Sequence, residues 1–348
     1  MRDLSGAQIR QLIDTEHVYV AFREAQRDYR QRFAGSMAWK TVTGRRYLYR
    51  KTGNAWKSLG PKSEQTEEIH ERFHSRRDAA KARRASLDTQ INALAPVNRA
   101  MRLGRVPWMA ARILRRIERD GLLGQGFRVA GTHALYAYER MGGVHFASDA
   151  VATTDIDLLY DARGSLDLVA SGLGEIGLIG ALRALDASFA PTAPGSFRAV
   201  NDTGFMVDLI TPATRNPATR QFRRSIGNPN HDLTAVEIAG LTWLESSPAI
   251  EQIVIDERGY PLTIVAPDPR AFVAHKMWLS QRDDRDPAKK RRDAAQAHEV
   301  AAMLVTYLPG LKFDDQALDA LPIDVRKLGI ALASAIAMTR PQDAAWDE

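Results

Sequence analysis

The stretch TTDIDLLYD, Thr153 to Asp161, constrains the fold more than any other in the chain. Ile156, Leu158 and Leu159 are apolar and suit a strand, while Asp155 and Asp157 are poor strand formers that interrupt it. Strand side chains alternate between faces with a period of two, so both carboxylates point the same way, close enough to repel. A fold that keeps this strand must bury its apolar residues and compensate two like charges.

Composition bounds the rest. A chain of 348 residues has room for two or three compact domains. Hydrophobic residues at 45% and charged residues at 26% are those of a globular protein. Without cysteine, disulfides and thiolate metal sites are excluded, which fits a reducing compartment. The start, MRDLSGAQIRQLID, is charged and shows no secretion signal. The longest apolar run, LGIALASAIAM, is too short to span a bilayer. The expectation is a cytoplasmic protein with no membrane partner. Charge is uneven: residues 1–125 hold 26 Lys+Arg against 13 Asp+Glu, and residues 126–348 hold 22 against 29. This suggests a basic module joined to an acidic one, and a basic module can track a polyanion such as RNA. A solvated, Arg-rich helical surface gives the same count.

The pattern predicts an α+β fold. It has a small mixed-sheet core, a helical C-terminal region and a basic N-terminal helix and hairpin module. Boundaries are expected at 1–95, 96–265 and 266–348. Residues 1–35 read as a helix. Alternating aromatic and polar residues from Trp39 to Pro61, around Thr52–Asn54, read as a hairpin. A long polar helix from Ser63 to about Leu94 is expected to break at Pro96, and another helix spans about Val106 to Leu123. A strand at Phe127–Ala130 hands over to a helix through Gly131-Thr132. A helical segment lies near Leu178 to Leu185. Gly204–Pro212 is a strand, and Glu251–Pro267 is a hairpin turning at Arg258-Gly259. Asp268-Pro269 and Asp286-Pro287 each place an N-cap acid before a first-turn proline.

Chemistry concentrates around the acidic strand. Glycine at 131 permits a tight turn and close backbone approach. A helix N-terminus there offers N–H groups to phosphate, and Thr132 adds a hydroxyl. FMVDLI holds a third acid, Asp208, between apolar strand residues. Three converging carboxylates repel unless a cation sits among them. Magnesium is the simplest answer, since it prefers oxygen ligands and binds through carboxylates plus substrate phosphates. Each part has a plainer reading: Asp-x-Asp recurs in loops and strand ends, Gly131 can be a turn glycine and Thr132 an N-cap.

The order of these parts resembles the nucleotidyltransferase fold of the DNA-polymerase-β type. VAGTHALYAYE, TTDIDLLYD, FRAVNDTGFMVDLITP, PDPRAFVAHKMWLSQRDDRDPAKKRRDAAQA and YLYRKTGNAWKSLGP are similar to a bacterial family with that fold, over about residues 40–305. The resemblance implies transfer of NMP from an NTP to an acceptor hydroxyl with release of pyrophosphate. Asp155, Asp157 and Asp208 would be the catalytic, metal-binding acids, with Mg2+ or Mn2+ as cofactor. Gly131 and Thr132 would contact the phosphates. This turn is Gly-Thr where the superfamily usually has Gly-Ser, which keeps the hydroxyl. Lys276, at helical spacing from Phe272 and Leu279, would pair with triphosphate oxygens or snorkel to solvent. Lys290 joins it as a nucleotide-binding candidate, within a cluster that includes Arg285, Lys289 and Arg292. Lys290 and Asp293 are three apart and can pair on one helix face.

Three readings are open. The first is the transferase, with RNA, tRNA foremost, as acceptor, or else a protein or small molecule; a toxin-like member would have an antitoxin partner. The second is a non-catalytic module that binds RNA or nucleotide. The third is an interaction protein built on the 63–94 helix. Tyr47, Tyr49 and Trp56 can stack on bases or serve as cross-strand pairs of the hairpin.

Overall fold

A computed structural model describes residues 1–161, 173–213 and 232–339. The chain divides into two compact units, one of residues 10–103 with 258–261, the other of residues 1–9, 104–257 and 262–348.

Helix α1 (Gly6–Phe33), from residue 10 onward part of the smaller unit, leads into strands β1 (Ser36–Val42), β2 (Arg45–Thr52) and β3 (Ala55–Pro61). These form an antiparallel meander, so the expected single hairpin carries a third strand. Two short polar links, Thr43-Gly44 and Gly53-Asn54, let each strand fold back on the last. Only Leu48 among the meander's side chains is fully buried.

Helix α2 (Glu64–Ala100) starts at a capping box in which Ser63 and Thr66 satisfy each other's backbone N–H groups. It runs straight through Pro96, where a break was expected. A proline inside a helix forfeits one backbone bond and costs about 3 kcal/mol. The turn beyond it is held by Asn98, which is fully buried. Its Oδ1 accepts from Gln11 Nε2 (2.9 Å) and Thr15 Oγ1 (3.1 Å), and its Nδ2 donates to the Gly259 carbonyl (2.8 Å). These tertiary bonds offset the local loss.

The larger unit is organised by a six-stranded mixed sheet. Its elements before the sheet's centre are α3 (Trp108–Arg119), β4 (Phe127–Ala130), α4 (Ala134–Gly142) and β5 (Asp155–Tyr160). They are followed by α5 (Leu173–Arg183), β6 (Ala190–Pro191), β7 (Arg198–Val200), β8 (Met206–Pro212) and β9 (Val236–Ile238). Strand order is β4-β5-β8-β7-β6, with β9 also paired to β8. The β5–β8 and β8–β9 pairs are parallel, while β4–β5, β7–β8 and β6–β7 are antiparallel. The fold is therefore α+β with a mixed sheet.

Ile156, Leu158, Val207 and Leu209 are completely buried, each contributing about 1.5–3 kcal/mol. Helix α6 (Leu241–Ser246) and the paired strands β10 (Ala249–Ile255) and β11 (Pro261–Pro267) precede the C-terminal helices. These are α7 (Pro269–Gln281), α8 (Pro287–Tyr307) and α9 (Ile323–Thr339). Asp268 and Asp286 cap α7 and α8 as the Asp-Pro pairs predict, accepting from Arg270 N and from Ala288 and Lys289 N. Among the described residues no helix is long and apolar enough to cross a membrane.

Candidate functional site

Strand register decides which acids meet. Asp208 on β8 lies directly beside Asp157 on β5, Asp157 lies beside Ala130 on β4, and Asp208 lies beside Arg198 on β7. Ala130, Asp157, Asp208 and Arg198 thus form one row across four strands, and residues in one row share a face. Asp155, two residues before Asp157, lies on that face as well. The row opens into a cavity of about 390 Å³ whose lining includes Gly131, Thr132, Asp155, Asp157, Asp208 and Lys276. Six of the seven residues singled out from the sequence therefore share one pocket, all within the larger unit.

The seventh does not join them. Lys289, Arg292 and Asp293 line the cavity, whereas Lys290 is not among its lining residues. At about 100° per residue, the face of α8 that carries 289, 292, 293 and 296 turns position 290 aside. The expected Lys290–Asp293 pair is replaced by others. Asp293 is buried, and its Oδ1 accepts from Lys276 Nζ (2.7 Å) while its Oδ2 accepts from Arg285 Nε (2.9 Å). A carboxylate that holds two cations fixes both at the cavity wall.

The turn is built around Asp157. Gly131 has φ +60°, and a Cβ there would collide with Asp157 Oδ2. The carboxylate packs against the bare glycine backbone, so the residue that frees the turn also makes room for the acid. Thr132 is buried, and its Oγ1 accepts from Arg292 Nη2 and Gln296 Nε2, each at 3.1 Å. A hydroxyl has two acceptor positions and one donor, so with both acceptors used its O–H is left to donate. Arg292 Nη2 and Gln296 Nε2 also donate to the carbonyls of Ala152 (2.6 Å) and Ala150 (2.9 Å), tying α8 to the segment before β5.

Electrostatics show the crowding. Burial first, then the charges of Asp155 and Asp208, push the Asp157 carboxyl up to about 6; Lys276 and Arg198 oppose this. Asp155 Oδ1 accepts from the Thr153 hydroxyl. Asp208 is clamped by Arg198, whose Nε donates to Oδ1 (2.7 Å) and Nη2 to Oδ2 (2.6 Å). That bidentate bond raises the Arg198 pKa. Among the described residues no group of three or more His, Asp or Glu is arranged as a ready-made metal cage. The donor set nonetheless fits a hard divalent cation. It consists of carboxylate oxygens, and burial together with the added repulsion of Asp155 and Asp208, which raise the Asp157 carboxyl, is what a cation offsets.

Two histidines beside the site stay neutral. His133 and His275 are buried, and burial lowers them to about 4 and about 3. His133 packs against Tyr136, and His275 packs against both Trp243 and Trp278, which also meet each other.

Arg198 and Gln296 went unassigned in the sequence. Arg198 had a usable signal: a hairpin folded at Asn201–Gly204 sets Val200 against Met206 and so Arg198 against Asp208. Gln296 lies four residues beyond Arg292, on the same helical face.

The mixed sheet, with an acidic row facing a cationic helix wall, marks an α+β domain with a charged, partly enclosed pocket. A family model described as a nucleotidyltransferase matches residues 109–322, more than half of the chain, and the chain belongs to that nucleotidyltransferase family. A search of curated proteins and a search of solved structures each returned no match.

Proposed function

We propose that the protein transfers a nucleoside monophosphate from an NTP to an acceptor hydroxyl, with RNA as the acceptor. The observation that carries this is the row Asp157–Asp208, with Asp155, opening into one cavity that the Gly131-Thr132 turn and Lys276 also line.

Each residue has a task in that reaction. The Thr132 hydroxyl donates to a phosphate oxygen, and Lys276, Lys289 and Arg292 balance the triphosphate charge. Asp155, Asp157 and Asp208 are the residues that would hold Mg2+, or Mn2+ in its place. Such an ion supplies charge that neutralises phosphate and acidifies the attacking hydroxyl. Asp208 takes the proton of the acceptor hydroxyl as its oxygen bonds to the α-phosphorus. The bond from that phosphorus to the bridging oxygen breaks, and pyrophosphate leaves. For this Asp208 must be released by Arg198, which then has a phosphate oxygen as its alternative partner.

The smaller unit supports RNA as acceptor, since it carries 21 Lys+Arg against 10 Asp+Glu. The test is incubation of the protein with each labelled NTP, Mg2+ and total RNA, and in parallel with a protein extract. Asp157→Asn serves as control. Label on RNA that the variant abolishes is the expected result; label on protein alone moves the acceptor, and no label on either sinks the RNA and protein readings together. One observation favours a second reading. Both Asp208 oxygens are occupied by Arg198, as in a module that binds nucleotide without turnover. Nucleotide binding indifferent to Mg2+, with no pyrophosphate release, would select it.

A further inference from the structure

The β1–β2–β3 meander has two unlike faces. Leu48 is buried on one, where Trp39 packs on His70 and Arg50 lies over Phe73, so that face rests on α2. Strand alternation puts Lys40, Tyr47, Tyr49, Lys51 and Trp56 on the other. Cross-strand register agrees, setting Lys40 beside Tyr47 and Lys51 beside Trp56. Trp56 is 41% exposed, and Lys40 is exposed as well.

This outer face contains the ingredients of a stacking platform. The rings of Tyr49 and Trp56 meet edge to face with centroids 6.4 Å apart. The Lys40 ammonium sits 3.3 Å from the Trp56 ring centroid and 5.5 Å from that of Tyr49, and the Lys51 ammonium lies 5.6 Å from Trp56. Residues 36–62 include seven Lys and Arg and no Asp or Glu. Among the described residues neither Lys40 nor Lys51 makes an ion pair; their charges rest on aromatic rings instead. An exposed cation–π contact is weak and a phosphate displaces it readily. The displaced lysine then tracks the phosphate backbone, and the uncovered ring takes a base. A structural hairpin needs its aromatics paired, but it does not need a run of 27 residues without a single acid, whose like charges repel one another.

We infer that this face binds single-stranded RNA, with Tyr49 and Trp56 stacking on bases and Lys40 and Lys51 contacting phosphates. The inference deepens the RNA-acceptor reading and rests on it only for the transfer step after binding. Bases are reachable in a single strand and hidden in a duplex, so an unpaired segment is the ligand.

The experiment is fluorescence anisotropy of the full chain with a labelled, unstructured oligoribonucleotide. The same sequence as a duplex is the second arm, and each is measured across a salt series. Tyr49→Ala/Trp56→Ala is expected to weaken single-strand binding by roughly tenfold to a hundredfold, with Trp56→Phe recovering most of it. Lys40→Gln/Lys51→Gln is expected to make the salt dependence shallower by about 1.4 in log–log slope. Wild-type affinity in the aromatic double variant, or duplex bound as tightly as single strand, overturns the proposal. Melting curves monitor the fold; if the aromatic double variant unfolds, the lysine pair and Trp56→Phe still decide. RNA binding lost in the platform variants but never accompanied by label transfer in the wild type would sink the acceptor reading and leave the platform standing.

Discussion

Gly131 and Gly53 turn the chain with nearly the same backbone angle, φ +60° and +57°, in two different sheets. A side chain at 53 would meet nothing within 4 Å, while one at 131 would collide with the Asp157 carboxylate. The first glycine serves a local turn of the meander. The second serves a turn and a site at once, because the acid it accommodates arrives from a strand 26 residues away in sequence. The meander's contacts are between near neighbours, and the core sheet's are between residues that only the fold unites.

That contrast can be broken most forcefully at the acids. Asp157→Asn should lower nucleotidyl transfer by about a thousandfold or more in the labelled-NTP assay while leaving the melting temperature equal or higher, since one of three crowded charges is removed. Unfolding of that variant would show that the acid is structural. Arg198→Gln leaves the buried Asp208 without its cation and should cost about 3 kcal/mol in chelator, read by denaturant titration. Added Mg2+ should then raise the variant's melting temperature more than the wild type's. An equal shift would mean that Arg198 does not hold Asp208 away from a cation.

The two glycines sharpen the comparison directly. Gly131→Ala should cost about 2 kcal/mol or more in stability and most of the activity, since strain and collision add. Between it and its counterpart falls a pH effect. His133 and His275 have folded pKa values of about 4 and about 3, below the ordinary 6.5 of the unfolded chain, chiefly through burial. The unfolded state therefore binds more protons between those values. The stability the two residues confer is whole above 6.5 and is lost as pH falls towards 4 and then 3, by up to about 1.4 kcal/mol per pH unit for each. Melting temperatures at pH 7 and pH 5 read this loss against the opposing gain from Asp157, whose raised carboxyl takes up its proton first in the folded state, and His275→Leu should shrink the loss at pH 5. The smallest effect belongs to Gly53→Ala, at about 1 kcal/mol, with transfer unchanged. A larger loss there would erase the distinction between the two turns.

Much of the core was legible because its signals are local. The strand at Phe127–Ala130, the turn after it, the acids of TTDIDLLYD and both Asp-Pro helix starts are written in periodicity and caps that a few residues can satisfy alone. Asp208 could be singled out because a lone acid between apolar strand residues is costly unless used. What escaped were matters of partnership. The break expected at Pro96 did not occur, because Asn98 gains its hydrogen bonds from elsewhere in the fold. Strands β7 and β9 are three residues each, too short for alternation to register.

Which residues could carry charge into a sheet, where the chain must turn and where helices begin were readable along the chain, since these depend on side chains a few positions apart. It took the packed fold to pair Asp293 with Lys276 and Arg285 rather than with Lys290. An ion pair is chosen by distance in space and by the burial that removes competing water. Both quantities exist only once the strands and helices have packed.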